Sequence, residues 1–323
     1  MKKATFITFL FLISLLFSCK EKAPDKILLV FSYHPEYTWV SEEISGLNQV
    51  FARQNLELHR LFMDTKRNTS ESWKQKMADS AFRMIERIKP DAIMLFDDNA
   101  CEYVGQKLIG KETPVVFCGV NSDPASYGFP AENVTGVVER VPLQKMFNLL
   151  RTIAPEVTSV SIISDESPTG IGIDEQLEQT ELDIEVGKLL ATNDFGEWKE
   201  FITNAQESVD ALAVISYLTL EDTITGKSMD PQKVMIWILE NNRLPETAPF
   251  DFAVYDGLLC GVYLPGQSQS KPAAEMLLEI LDGADPAELP LHYPEGGERM
   301  INRQRAEKLG IEVPETGEIK IIE

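Results

Sequence analysis

The chain has 323 residues, 44% of them hydrophobic and 25% charged, an ordinary globular balance that excludes a disordered or low-complexity protein and leaves room for two lobes with separate cores. Acidic residues outnumber basic ones, 51 to 30, and the formal net charge is −21 at pH 7. A surface of that sign repels nucleic acid and anionic membrane, although a local nest of N–H groups can still hold an anionic ligand.

Lys2 and Lys3 precede an apolar run from Phe6 to Phe17, too short to span a bilayer, which needs roughly 20 residues. Residues 1–18 therefore read as a cleaved signal peptide, and Leu16-Phe17-Ser18-Cys19 resembles a bacterial lipobox with Cys19 as the lipidated residue. Residues 19–25 would then form a short tether. Losing Lys2 and Lys3 with a leader that holds no acid takes the formal charge from −21 to −23.

The apolar residues Ile27 to Phe31 predict a buried strand, followed by a polar, aromatic loop from Ser32 to Trp39 and a helix whose first turn carries Glu42 and Glu43. Leu56 to Met63 reads as a second strand, closed by Asp64-Thr65-Lys66-Arg67. Ser70 is placed to cap a helix that runs to about Ile88 with one apolar face. Asp91 to Phe96 and Pro114 to Cys118 are the third and fourth strands, ending in Asp97-Asp98-Asn99 and Gly119-Val120-Asn121. Ser122–Val141, rich in Pro, Gly, Ser and Asn, reads as a crossing between lobes.

A second alternating series starts with a helix from Pro142 to about Ile153. Strands follow at Val157–Ser164, Leu182–Leu190 and Ala211–Ser216, with helices between them, a loop at Asp165–Gly172, a helix at Pro231–Asn242 and two short strands around Asp256-Gly257. Residues 266–283 form one more helix, and the tail is a short amphipathic helix with an extended end. Strands alternating with helices build parallel sheets, so the expected fold class is α/β with two Rossmann-like lobes.

Besides Cys19 the chain holds Cys101, Cys118 and Cys260, an odd number that cannot pair fully. Buried free thiols are the first reading, a Cys101–Cys118 bridge the second. No CxxC or HExxH spacing occurs, and His34, His59 and His292 stand far apart, so neither a metal nor any other cofactor is expected. Ser32 and His34 sit too close on one loop to form a nucleophile pair, and no Gly-x-Ser-x-Gly elbow is present. Catalysis is not expected.

Three stretches carry a family resemblance: SYHPEYTW followed by Met63–Arg67, SDESPTGIG at Ser164–Gly172, and a closing run from Gly261–Gly283 to Ile301–Pro314. The closing run has paired alanines in its helix, a Gly stop, and an Asn-x-x-x-Ala-x-x-Leu-Gly-Ile-x-x-Pro ending. On these stretches residues 26–314 resemble the substrate-binding lipoproteins of bacterial ABC transporters with the type I periplasmic-binding fold. The first two stretches also resemble extracellular sensing domains of bacterial histidine kinases. The resemblance implies two lobes, 26–137 plus 266–284 and 138–265 plus 285–323, joined by three crossings and closing about a hinge on a small organic solute such as an amino acid. It implies as partners that solute, an ABC permease or else a membrane sensor, and a bacterial membrane through the lipid anchor, with the protein extracytoplasmic, in the periplasm or at the cell surface.

Strand-end loops would face the cleft. From the first lobe these offer Ser32, Tyr33, His34, Trp39, Asp98, Asn99 and Asn121, and from the second Asp165, Thr169, Gly170, Tyr217 and Asp256. Hydroxyl, amide and helix-start N–H groups suit a carboxylate, Asp98 or Asp165 an ammonium group, and Tyr33, Trp39 and Tyr217 an aromatic or apolar body. Other roles stay open: Trp39 as a hydrophobic staple, Asp98-Asn99 as a helix cap, and Asp64–Arg67 as a solvated turn.

Overall fold

Two largely parallel sheets organise the chain in a computed structural model that describes residues 23–314 and 317–323. The signal peptide, Cys19 and most of the tether lie outside the described residues. The first series is β1 (Asp25–Phe31), α1 (Thr38–Phe51), β2 (Leu56–Phe62), α2 (Glu71–Ile88), β3 (Ala92–Phe96), α3 (Asp97–Tyr103), β4 (Val115–Val120) and β5 (Val134–Val138). These strands form a parallel sheet in the order β2-β1-β3-β4-β5. β3, β4 and β5 are buried along their whole length, as a sheet covered by helices on both faces requires. β5 falls inside the stretch read from sequence as a plain crossing. Asn133 sets its start, donating through Nδ2 to the carbonyls of Leu108 and Thr113. Ser70 stands at the N-cap of α2, but its hydroxyl caps no backbone N–H there.

The second series is α4 (Leu143–Ile153), β6 (Ser159–Ser164), α5 (Pro168–Gln179), β7 (Glu185–Ala191), α6 (Phe195–Ala205), β8 (Ala211–Val214), α7 (Pro231–Asn241), β9 (Glu246–Ala248), α8 (Asp251–Tyr255) and β10 (Cys260–Tyr263). After α9 (Gly266–Leu281) the chain ends with β11 (Glu298–Asn302), α10 (Arg303–Leu309) and β12 (Ile319–Ile322). The second sheet runs β12-β11-β10-β9-β8-β6-β7, parallel except where β10 meets β11.

α9 leaves the second sheet and packs on α1, where Ala273, Ala274, Leu277 and Ile280 share a core with Ile27, Leu29, Phe31 and Leu47. The two helices approach so closely that a Cβ on Gly46 would lie 2.1 Å from Ser270 Oγ. The chain thus passes between the sheets three times: after β5, after β10 and before β11. Cys101, Cys118 and Cys260 are buried free thiols, with no bridge between the first two. Among the described residues no helix is long and apolar enough to cross a membrane.

Candidate ligand-binding cleft

Strand-end loops of the two sheets meet at a cleft lined by Tyr33, Tyr37, Trp39, Lys66, Thr169 and Phe252. Its first wall starts from Ser32. The Ser32 hydroxyl donates to the Phe96 carbonyl (2.7 Å) and accepts the Ala100 N–H (2.8 Å), which clips the loop after β1 to the start of α3 and presents Tyr33. Thr65 then donates its N–H (2.9 Å) and its hydroxyl (2.8 Å) to the Ser32 carbonyl, drawing the loop after β2 inward. Lys66 follows Thr65 into the cleft, its Nζ 4.5 Å from the centre of the Tyr33 ring and 5.7 Å from that of Tyr37. Burial lowers the pKa of this ammonium group, against the pull of Asp165, Asp97, Asp98 and Glu139.

Asp97 opens α3 with a φ of 66°, a left-handed conformation that a residue with a side chain adopts rarely and at a cost. It is 2% exposed, accepts the Trp39 indole N–H on Oδ1 at 2.9 Å, and has no partner within the protein on Oδ2. Burial, with the neighbouring charges of Glu139 and Asp98, holds its carboxyl well above the usual range. Glu139 accepts the Asn121 amide on Oε2 at 2.8 Å, and burial pushes its pKa up to about 8. The cleft is also rich in aromatic rings. Tyr33 and Tyr37 meet edge to face (5.6 Å between centres), Tyr37 lies 6.3 Å from Phe252, and Phe252 stacks on Phe250 at 5.4 Å.

The two walls touch. Tyr33 Oη lies 3.3 Å from Thr169 Oγ1, at the start of α5. A Cβ on Gly172 of α5 would fall 2.5 Å from the backbone of Asn121 and Ser122, so the helix reaches the loop after β4 only because this residue is glycine.

The fold of two α/β lobes is shared with known proteins, and the sequence relation is specific. The family model described as ABC transporter substrate binding protein matches residues 74–319. The chain belongs to that family. It is 22% identical over 223 residues to the "Tyrosine-binding protein" of Clostridioides difficile (strain R20291), an alignment covering 66% of this chain and only 61% of that relative. The structure of an ABC domain in complex with L-Trp from Streptococcus pneumonia superposes with a TM-score of 0.70 at 18% identity, covering 93% of this chain and 100% of the other. A ligand-free, open substrate binding protein with adhesive properties from Clostridium difficile gives 0.65 at 18% identity, covering 93% and 99%. At that identity the structural likeness establishes the type I periplasmic-binding fold.

Within this substrate-binding protein, Tyr33, Trp39, Asn121 and Thr169 line the cleft, and Asn99 lines an adjoining polar pocket together with Tyr33, Lys66 and Thr169. The other residues expected there are turned to local work. Ser32 is the clip beneath Tyr33. His34 points to Asp64, with Nδ1 3.4 Å from Oδ1. Asp98 neither faces the cleft nor caps its own helix; it accepts from the Asn121 and Ser122 N–H groups and the Tyr127 hydroxyl. Asp165 is occupied by Ser167, Ser216 and Thr219. Gly170 makes room for the Asp165 carbonyl, 2.1 Å from where its Cβ would stand. Tyr217, 1% exposed, donates to Asp256 at 2.6 Å, outside the cleft lining.

Sequence reasoning missed Asp97, Glu139, Tyr37, Phe250 and Phe252, and left Lys66 open between the cleft and a turn. Lys66 lies in a run that reads equally as a solvated turn, and Glu139 in the stretch taken for a plain crossing. Trp39 is no mere staple, since its N–H is committed to Asp97.

Proposed function

We propose that the cleft binds an amino acid with an aromatic side chain, and that the protein, anchored through Cys19 outside the cytoplasmic membrane, delivers it to an ABC importer. The observation that carries this reading is the pairing of charges beside aromatic rings. Among the described residues Lys66 is the one cation lining the cleft, and it shares that lining with the acids Asp97, Glu139 and Asp251. A zwitterion answers both signs: its carboxylate meets Lys66 and the Thr169 hydroxyl, and its ammonium group meets the unpartnered Oδ2 of Asp97. A flat side chain then lies among Tyr37, Phe250 and Phe252. The names of two similar proteins, one tyrosine-binding and one complexed with L-Trp, support the same ligand class. In this reading residues 26–137 plus 266–284 close on 138–265 plus 285–323, and Tyr33 meets Thr169 as they do so.

The test is thermal unfolding of residues 23–323 against the twenty common amino acids. Tyrosine, tryptophan or phenylalanine at about 100 times its dissociation constant should stabilise the protein by roughly 2.7 kcal/mol. Tyramine, without the carboxylate, and 3-(4-hydroxyphenyl)propionate, without the amine, should each shift it far less. No shift with any amino acid would defeat the reading. The anchor is tested separately: Cys19→Ala should yield an exported protein free of the membrane fraction, and unchanged retention there would remove Cys19 from that role.

A further inference from the structure

Glu43, on the inner face of α1, is fully buried, and neither of its carboxyl oxygens has a hydrogen-bond partner in the protein. An ionised carboxylate in such a place would cost several kcal/mol. Asp97, the acid whose charge acts on it most, is in a similar position. The point where a Cβ of Gly119 would stand lies 3.3 Å from Glu43 Oε1 and 3.0 Å from Asp97 Oδ1, so the two carboxyl groups converge on one glycine with a φ of 71°.

The surroundings do not neutralise the pair. Glu139 of the cleft lining and the buried Asp98 add negative charge, Lys66 acts on Asp97, and Glu42 lies on α1 itself. β4 brings Cys118 and Gly119 to the site. α9 brings Gly266, whose Cβ position is 3.2 Å from Glu43 Cγ, and one turn further Gln269 and Ser270, whose buried polar atoms are unpartnered as well. Trp39 supplies a single N–H, donated to Asp97 at 2.9 Å, and the same N–H eases negative charge on Glu43. Burial first, then the charge of Asp97, holds the Glu43 carboxyl well above its ordinary range. Two like charges that converge in a dry site do not ionise together unless a cation joins them.

We propose that Glu43 and Asp97 hold one proton between them before ligand arrives, and release it to solvent when the ammonium group of an amino acid takes up position at Asp97. No covalent bond of the ligand changes; its positive charge replaces that of the departing proton, and its N–H group donates to Asp97 Oδ2. The inference rests on the amino-acid reading of the cleft and adds a role for Glu43 as a positioning residue that never touches the ligand. Protons then compete with the ligand. Affinity should fall about tenfold per pH unit of acidification across the range in which the pair takes up its proton.

Calorimetric titration of L-tyrosine and L-tryptophan in two buffers of different ionisation enthalpy measures the release directly. Wild-type protein should release about one proton per ligand bound, and Glu43→Gln close to none. Infrared difference spectra of the ligand-free protein at neutral pH should show the C=O stretch of a protonated carboxyl group that is absent in Glu43→Gln and lost from the wild type on adding L-tyrosine. Binding without proton release overturns the exchange and leaves the amino-acid reading standing. A missing carboxyl band overturns the shared proton. No heat from either amino acid overturns the exchange together with the reading beneath it. The wild-type measurements decide the matter by themselves should Glu43→Gln not fold.

Discussion

Asp97 and Asp165 hold matching places, each buried directly after a strand of a parallel sheet, β3 in one lobe and β6 in the other. Their surroundings are opposite. Asp165 accepts the N–H and hydroxyl of Ser167 on one oxygen, and the Ser216 hydroxyl and Thr219 N–H on the other. Asp97 accepts one indole N–H, leaves Oδ2 unpartnered, and takes an unfavourable φ. A buried carboxylate with all its acceptor sites engaged builds the loop around it, whereas one with an idle oxygen in a cleft is available to something else. Glu246 and Glu43 repeat the contrast: the first is ion-paired with Arg305 and bonded to Asn242, the second has no partner. Position after a strand therefore does not separate framework from site; the state of the hydrogen bonds does.

The contrast can be broken by crossing two substitutions. Asp165→Ala removes acceptors from four buried or half-buried donors, and should cost about 2–4 kcal/mol in urea unfolding. Asp97→Asn keeps an acceptor for Trp39 and removes an uncompensated charge, so its unfolding midpoint should stay level or rise. The ligand assay should reverse the order. Asp97→Asn should weaken L-tyrosine binding about 10- to 100-fold, the worth of a hydrogen bond to a charged group at roughly 1.5–3 kcal/mol. If Asp97→Asn unfolds as easily as Asp165→Ala and binds L-tyrosine as well as the wild type, the two aspartates are equivalent and the distinction fails.

The sheets are the readable part of the sequence. A strand covered on both faces needs apolar residues at every position, which marks Ile27–Phe31 of β1, all of β3 and Val115–Cys118 of β4 as unbroken runs. β5 is equally buried but hides among turn formers. Its Gly136 belongs to the strand because a Cβ there would lie 2.3 Å from the Phe117 carbonyl oxygen. The site is less readable, since strand ends locate a cleft without saying which side chain enters it. Of the adjacent pair Asp97-Asp98, the first turns inward through a φ of 66°, and the second is held beneath the loop by Asn121, Ser122 and Tyr127, some 23 to 29 residues away. Lys66 is brought in by bonds from Thr65 to a carbonyl 33 residues earlier. Such partners are tertiary, and no local pattern announces them.

Glu139 gives the smallest and most selective test of the same contrast, because it lies between the two extremes: it has one partner, Asn121, and is 2% exposed. Burial raises its pKa to about 8, against about 4.3 in an unfolded chain. Between those values the native protein keeps a proton that the unfolded chain has lost, so stability falls as pH rises and the fall ends once pH has passed the native value. From pH 7 to 8 the loss is about 1 kcal/mol, or about 2 °C in Tm for a chain of this length. Glu139→Gln can still accept from Asn121 but cannot ionise, so the difference in Tm slope between the two proteins isolates this one group. Identical slopes would mean that Glu139 is already charged at neutral pH, with Lys66 spent on it. The cleft would then hold no spare cation for a carboxylate, and its preference would move from zwitterions to simple amines.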